Sequence, residues 1–232
     1  PPPPPPTTIF FNDTATTEIY TTAKSSAASD VYKRQVYSSY VSRFAGTFLD
    51  RCEFWNLKRT RSGDAQILYQ SGLGHQPVSL FRDYIRDQIE TSRYLQEDQL
   101  FPGVEHVLGQ LCMQHRCRII SARRNKRIFL EQIEQLGVRK YFDQVLVAPT
   151  QGSGGQELKA KASAMKSSVD SHTEMIIVGD TEEDIISGQQ LNMKTVAVTS
   201  GLRDRPYLET LSPDHILASV TELVICLESK VP

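Results

Sequence analysis

Two carboxylates four residues apart follow an apolar run in the last quarter of the chain. Asp180 and Asp184 come after the apolar residues 175–178 and a glycine. A buried strand that ends in this way directs the carboxylate that follows it into the space where ligands bind. Mg²⁺ usually takes one or two protein carboxylates together with water and substrate phosphate. We therefore predict that Asp180 ligates Mg²⁺ and that Asp184 supports the site by holding a metal-bound water.

The same stretch also fits the start of a helix. Thr181 with Asp184 three residues later matches a capping box, and acids in a first turn interact favourably with the helix dipole. The two interpretations are compatible, and we favour a metal site over capping alone.

Candidate phosphate ligands lie at two other places. Ser121 and Ala122 follow the apolar residues 117–120, and a hydroxyl near the backbone N–H groups of a helix start suits a phosphate oxygen. Lys159 and Lys161 open a predicted helix that faces the same crevice, where an ammonium group would neutralise phosphate charge. Each signal alone is ordinary, since serines often cap helices and lysines usually lie on the surface.

Alternating strand and helix patterns position these residues. Apolar runs at residues 117–120, 145–147, 175–178 and 195–198 predict strands, with a short fifth at 216–217 and helices between them. Such alternation predicts an α/β fold, a Rossmann-like doubly wound parallel sheet with helices on both faces. Residues that directly follow the strands of such a sheet gather at one edge.

A helical segment precedes this alternating region. Apolar residues recur at three-to-four spacing between residues 36 and 99, with a loop at residues 71–77. We predict a small helical module over residues 36–100 and an α/β core over residues 101–232.

The first 35 residues differ in amino-acid composition from the rest of the chain. Six prolines open the chain, and residues 12–20 and 25–35 match translations of successive parts of a common short-read sequencing adapter. We therefore predict that residues 1–35 are non-native and disordered, and we give Asp13 no catalytic role.

Five stretches together resemble the haloacid dehalogenase-like hydrolase superfamily, in particular its phosphoglycolate-phosphatase-like branch with a helical cap. The resemblance covers about residues 101–224. It rests on Leu100-Phe101-Pro102-Gly103-Val104, Ile119-Ile120-Ser121, Leu136-Gly137 with Tyr141-Phe142-Asp143, Ile177-Val178-Gly179-Asp180-Thr181 with Asp184, and Ser212-Pro213-Asp214-His215-Ile216.

The resemblance implies a Mg²⁺-dependent phosphatase that acts on a small-molecule phosphate monoester. Ser121 would bind the phosphoryl group with Ala122, and Lys161 would be the active-site lysine, with Lys159 as the alternative. Asp180 would coordinate Mg²⁺ and Asp184 would support that site.

By the same resemblance, the helical module over residues 36–100 is a cap, and the family's first motif is missing from its expected place before that cap. That motif is an apolar strand ending in Asp-x-Asp-x-Thr, whose first aspartate attacks phosphorus and whose second acts as general acid and base. Because the nucleophile is absent, we predict that the chain as written is inactive. The core would also lack its first strand, which exposes sheet edges and lowers stability. The alternative is a non-catalytic phosphate-binding or regulatory relative. A nucleotide loop at residues 152–155 lacks the GxxxxGK[ST] spacing and is set aside.

Composition agrees with a small-molecule enzyme. Lysine and arginine number 26 against 27 acidic residues, so charge favours neither nucleic acid nor an anionic membrane as partner. A small phosphorylated metabolite fits better. The four cysteines form no CxxC pair, and no apolar run approaches the roughly 18 residues that span a bilayer. We expect a cytoplasmic protein.

Overall fold

Six parallel strands build one sheet in the computed structural model, which describes residues 6–12, 25–60, 63–89, 91, 100–123, 125–148, 155–169 and 173–229. The spatial order is β3-β2-β1-β4-β5-β6. Strands β2 and β3 are added on one side of β1, and β4, β5 and β6 on the other side. The strands are β1 (Thr8–Asn12), β2 (Arg116–Ser121), β3 (Gln144–Val147), β4 (Met175–Gly179), β5 (Lys194–Val198) and β6 (His215–Leu217). The predicted doubly wound α/β class is confirmed.

Helices connect the strands of the sheet, and the first four lie between β1 and β2. Four of them form a helical unit: α1 (Ser25–Arg43), α2 (Arg51–Lys58), α3 (Gly63–Gln70) and α4 (Val78–Ile89). The others are α5 (Val104–Gln114), α6 (Lys126–Gln135), α7 (Gly155–Ser168), α8 (Glu182–Gln190), α9 (Arg205–Thr210) and α10 (Leu223–Glu228), with 3₁₀ turns at Arg139–Tyr141 and Val220–Glu222.

Apolar side chains cover both faces of the sheet. Ile9 and Phe11 point to the face that carries α5 and α6, whereas Phe10 points to the opposite face with Met165 of α7. Successive side chains of a strand alternate between faces, and strands buried on both faces read as continuous apolar runs. This explains why the strands of the core appear in the sequence as short apolar blocks.

The prediction that the core lacks its first strand is wrong. Residues Thr8–Asn12 form the central strand, which pairs with β2 on one side and β4 on the other. Its five residues are all buried. The run looks like an apolar strand in the sequence, and it was rejected because an adapter-like stretch follows it. Its β-branched and aromatic residues suit a strand buried on both faces. The expected exposed edges beside β2 and β4 do not exist.

The predicted boundary after residue 35 falls inside a helix. Helix α1 runs without interruption from Ser25 to Arg43. Arg34 donates a hydrogen bond to the carbonyl oxygen of Leu49 at 3.2 Å, and the ammonium of Lys33 lies 5.9 Å from the ring centre of Trp55. The prediction that residues 1–35 are disordered is therefore wrong for residues 8–12 and for the helical residues 25–35. Asp13 lies outside the described residues.

The helical unit has an apolar core of its own. Tyr37, Tyr40, Phe54, Ile67 and Phe81 pack together in it, separate from the clusters on the two sheet faces. Tyr40 and Phe81 meet edge to face, with ring centres 5.0 Å apart, a favoured arrangement for aromatic pairs. The unit can therefore keep its internal structure when its position relative to the sheet changes.

Within the part of the chain that the structure describes, no helix has the length and apolar character needed to cross a membrane.

Candidate functional site

Three neighbouring strands end at the same edge of the sheet and carry polar side chains there. Asn12 is the last residue of β1, Ser121 is the last of β2, and Asp180 directly follows β4. Strand pairing places Asn12 opposite Ile120 and Phe11 opposite Val178. The strand order changes direction between β1 and β4. Such topological switch points form ligand-binding crevices in doubly wound folds.

A buried triad lies at the centre of this edge. Lys161 Nζ donates to Asn12 Oδ1 at 3.1 Å and to Asp184 Oδ1 at 3.1 Å, and Asn12 Nδ2 donates to Asp184 Oδ2 at 2.7 Å. An ammonium can only donate and a carboxylate can only accept, so these partners fix the orientation of the Asn12 amide. The three side chains form a closed ring of hydrogen bonds around one buried ion pair.

Lys161 reaches the triad because of its phase on α7. The side chain is buried, and Met165, one turn later on the same face, packs on the sheet. Lys159, two residues earlier, is exposed. Residues two apart on a helix face different directions. The structure thus brings Lys161, and not the alternative Lys159, to the strand ends.

Asp184 is held by several donors at once. Besides Lys161 and Asn12, the backbone N–H and the hydroxyl of Thr181 donate to Oδ2, at 3.2 and 2.6 Å. The capping box of α8 is therefore present, as the sequence predicted. Gly179 makes this possible, because a Cβ at that position would overlap the Asp184 side chain. The carboxylate is positioned by hydrogen bonds on both oxygens.

Asp180 is buried beside a loop that follows β5. The backbone N–H of Leu202 donates to Asp180 Oδ2 at 2.6 Å. A Cβ on Gly201 would overlap the Asp180 carboxylate, so the loop packs directly against it. The loop between β5 and α9 therefore sets where this carboxylate lies.

The donors in the described residues fit a loosely held Mg²⁺. Among those residues, no three His, Cys, Asp or Glu side chains cluster as a ready metal cage. Mg²⁺ does not require one, since it commonly keeps several waters and binds one or two carboxylates. Asp180 suits the role of carboxylate ligand. Asp184 already accepts hydrogen bonds on both oxygens, so it could act only through its neighbours or by giving up a partner.

Of the predicted phosphate ligands, Ser121 ends the strand next to Asn12 and Ala122 directly follows it. Ser121 is fully buried, and its Oγ accepts a hydrogen bond from the backbone N–H of Arg123 at 3.1 Å. Ala122 is half-buried. Asn125 caps α6, its side chain accepting from the N–H of Ile128 at 3.1 Å. Residues 152–154 of the rejected nucleotide loop lie outside the described residues.

The first turn of α8 carries further acids. Glu182 pairs with Arg203, with Nε–Oε2 and Nη2–Oε1 distances of 2.7 and 2.8 Å. Burial raises the pKa of Glu183 to about 7, and the charges of Glu182 and Asp184 add to this effect while Lys161 opposes it. The first turn of α8 therefore brings negative charge to this edge, and Lys161 and Arg203 supply positive charge beside it.

Sequence reasoning missed two residues of this edge. Asn12 was set aside with the first 35 residues, although a polar residue after a short apolar run was a usable signal. Arg203 lies in a loop without a pattern, so only the folded structure reveals its partners.

Comparison with known proteins shows the family of this chain. The sequence profile of haloacid dehalogenase-like hydrolases matches residues 16–198, which is more than half of the chain. The chain belongs to this family.

Two curated relatives have related names. Pyrophosphatase PpaX of Oceanobacillus iheyensis is 26% identical over 125 residues, which cover 53% of this chain and 58% of the relative. Phosphoglycolate phosphatase of Synechococcus elongatus is 28% identical over 130 residues, which cover 54% of this chain and 58% of the relative. The matched segment thus spans little more than half the length of each.

Solved structures match over nearly the whole chain. A haloacid dehalogenase-like hydrolase of Streptococcus pneumoniae has a TM-score of 0.65 and 16% identity, covering 95% of this chain and 98% of its own. A predicted phosphatase of Clostridium acetobutylicum has a TM-score of 0.66 and 18% identity, covering 97% and 99%. At such identities the likeness establishes the fold.

Proposed function

We propose that the chain carries the site of a Mg²⁺-dependent phosphatase for small-molecule phosphate monoesters, and that it is inactive as it stands because Asn12 occupies the place of the nucleophile. The observation that carries this proposal is the position of Asn12. It ends the central strand and contacts both Lys161 and Asp184. In the family's first motif, a strand of this kind ends in the attacking aspartate.

An aspartate at this position would use one carboxylate oxygen to attack phosphorus. The P–O bond to the alcohol would break, and water would then hydrolyse the resulting acyl phosphate to release phosphate. A neutral carboxamide cannot take that role. Two residues later the chain has Thr14, which has no carboxyl group for acid–base catalysis.

The remaining groups support phosphate binding. Lys161 provides a buried positive charge, and Ser121 a hydroxyl at the adjacent strand end. Asp180 would hold Mg²⁺, which when bound neutralises phosphate charge and orients the ester. The helical unit α1–α4 would act as the cap that encloses the substrate. The names of the relatives make phosphoglycolate and pyrophosphate the first compounds to test.

The same observation favours a second function, phosphate binding without turnover. The amide of Asn12 accepts from Lys161 and donates to Asp184, so both charged side chains have a hydrogen-bond partner at this edge without a nucleophile. A natural regulatory relative would look like this.

Calorimetric binding and a phosphate-release assay test the proposal together. With Mg²⁺ present, we expect the chain to bind inorganic phosphate but to release none from phosphoglycolate or pyrophosphate. Lys161→Met should weaken phosphate binding, while the exposed matched control Lys159→Met should not. Turnover by the purified chain that disappears in Lys161→Met would contradict the missing nucleophile. Absence of any phosphate binding would contradict the site itself.

A further inference from the structure

Arg203 contacts the sheet domain and the helical unit at the same time. Its guanidinium makes a two-pronged ion pair with Glu182, and both side chains are about nine-tenths buried, at 13% and 10% exposed. The remaining prong, Nη1, donates to the carbonyl oxygens of Lys58 and Thr60 at 2.6 and 3.1 Å. The ring of Tyr207 lies beside it, 5.6 Å from the guanidinium carbon.

One carbonyl belongs to Lys58, the last residue of α2, and the other to Thr60, two residues later. The last carbonyls of a helix lack partners within the helix, and a cation placed there interacts favourably with the helix dipole. The start of α3 packs against the end of α2, because a Cβ on Gly63 would overlap the carbonyl of Leu57. Lys58 also pairs with Asp64 of α3. Arg203 therefore binds the helical unit where α2 ends and packs against α3.

The other partner of Arg203 belongs to the candidate metal site. Glu182 opens α8, between Asp180 and Asp184 in sequence. The loop that bears Arg203 also supplies the Leu202 N–H that binds Asp180. A guanidinium fork matches a carboxylate in two parallel hydrogen bonds and leaves other donors for a third group. Arg203 thus links the helical unit to the start of α8, where the candidate carboxylates Asp180 and Asp184 lie.

We propose that Arg203 is a positioning residue that holds the helical unit closed over the strand ends. This proposal rests on the proposed function, because closure of the helical unit matters only if a substrate binds at the strand ends. Removal of Arg203 would leave Glu182 buried without its cation and would remove the hydrogen bonds from Arg203 to the Lys58 and Thr60 carbonyls, so the helical unit would move away from the crevice.

Distances between two spin labels test this directly. Nitroxides are placed at Tyr69→Cys in the helical unit and Met113→Cys in the sheet domain, positions that are 73% and 78% exposed. Cys52, Cys112 and Cys226 are changed to serine, and the buried Cys117 remains. Double electron–electron resonance then compares the parent, Arg203→Ala and Arg203→Lys. The control is Arg205→Ala, which removes an exposed arginine paired with Glu209.

We expect Arg203→Ala to shift the distance distribution to longer values and to broaden it. Arg203→Lys should lie in between, because one ammonium cannot serve the carboxylate and both carbonyls, and Arg205→Ala should match the parent. A purely structural role would lower the melting temperature without changing the distance, and that result would overturn the proposal. If Arg203→Ala does not fold, Glu182→Gln is judged by the same criterion. The measurement uses no phosphate ester, so it fails or succeeds independently of the phosphatase proposal.

Discussion

The side-chain amide Nδ2 of Asn12 lies 2.7 Å from Oδ2 of Asp184, at the end of the central strand. Asn12 can donate to this carboxylate and accept from Lys161 because an amide carries both kinds of group. A carboxylate in its place would face Asp184 with one lysine between them. Lys161 and Asp184 form one ion pair of balanced charge, and a restored nucleophile would need more positive charge nearby.

Lys161 should contribute far more stability than its neighbour in sequence, Lys159. Lys161→Met leaves the buried Asp184 carboxylate without its cation, and breaking one side of a buried pair costs about 3–5 kcal/mol. Lys159→Met makes the same change at an exposed position and should cost no more than about 0.5 kcal/mol. Urea unfolding of both variants measures the difference. Equal stabilities would show that the triad is not a stabilising element.

Gly201 should tolerate no side chain. Gly201→Ala places a methyl group against the buried Asp180 carboxylate, and such overpacking typically costs roughly 1–3 kcal/mol. Gly109 is the control, since a Cβ there meets Tyr141 at an ordinary 3.7 Å. Gly109→Ala lies within α5 and should stabilise by about 0.5–1 kcal/mol. Thermal unfolding gives both values, and an unchanged Gly201→Ala chain would contradict the close packing of this loop.

Asp64 should make the helical unit sensitive to acid. Burial alone would raise the pKa of its carboxyl, but Lys58 and Arg82 lower that pKa to about 2, against an ordinary value of 3.8. A pKa lowered by folding gives stability that is present above about pH 4 and is lost as the pH falls towards about 2. The pKa difference corresponds to about 2 kcal/mol.

Asp64→Asn tests this dependence. The variant should be less stable than the parent at neutral pH by about that 2 kcal/mol, and the two should converge as the pH falls through the acid range. Chemical denaturation followed at a series of pH values provides the comparison. Glu131→Gln, which breaks an exposed pair on α6, should change stability by no more than about 0.5 kcal/mol. If the stabilities of the parent and of Asp64→Asn changed in parallel with pH, the ion pairs of Asp64 would not stabilise the folded chain.

The sequence predicted an element correctly where its local pattern of apolar and polar residues matched its burial in the fold. Strands β2 to β5 are apolar blocks bounded by turns, and Met165 four residues after Lys161 correctly indicated which lysine shares the buried face of α7. The capping residues of α8 were likewise visible, because capping depends on neighbours in sequence.

The missed features depend on distant parts of the chain. Strand β1 is short and is stabilised by pairing with β2 and β4, which lie more than a hundred residues away in sequence. The role of Arg203 arises from carbonyls of α2 and a carboxylate of α8. No spacing rule links such residues, since their proximity is created by the fold.

The most direct test of the account is phosphoryl transfer to Asn12→Asp. Acetyl phosphate is the donor of choice, because its acetate leaves without protonation and the missing acid–base group is not needed. In the presence of Mg²⁺, intact-mass spectrometry should show one added phosphoryl group on Asn12→Asp, removable by hydroxylamine, and none on the parent or on Asn12→Ala. A phosphorylated parent, or an Asn12→Asp chain that gains no phosphoryl group, would contradict the claim that Asn12 occupies the place of the nucleophile.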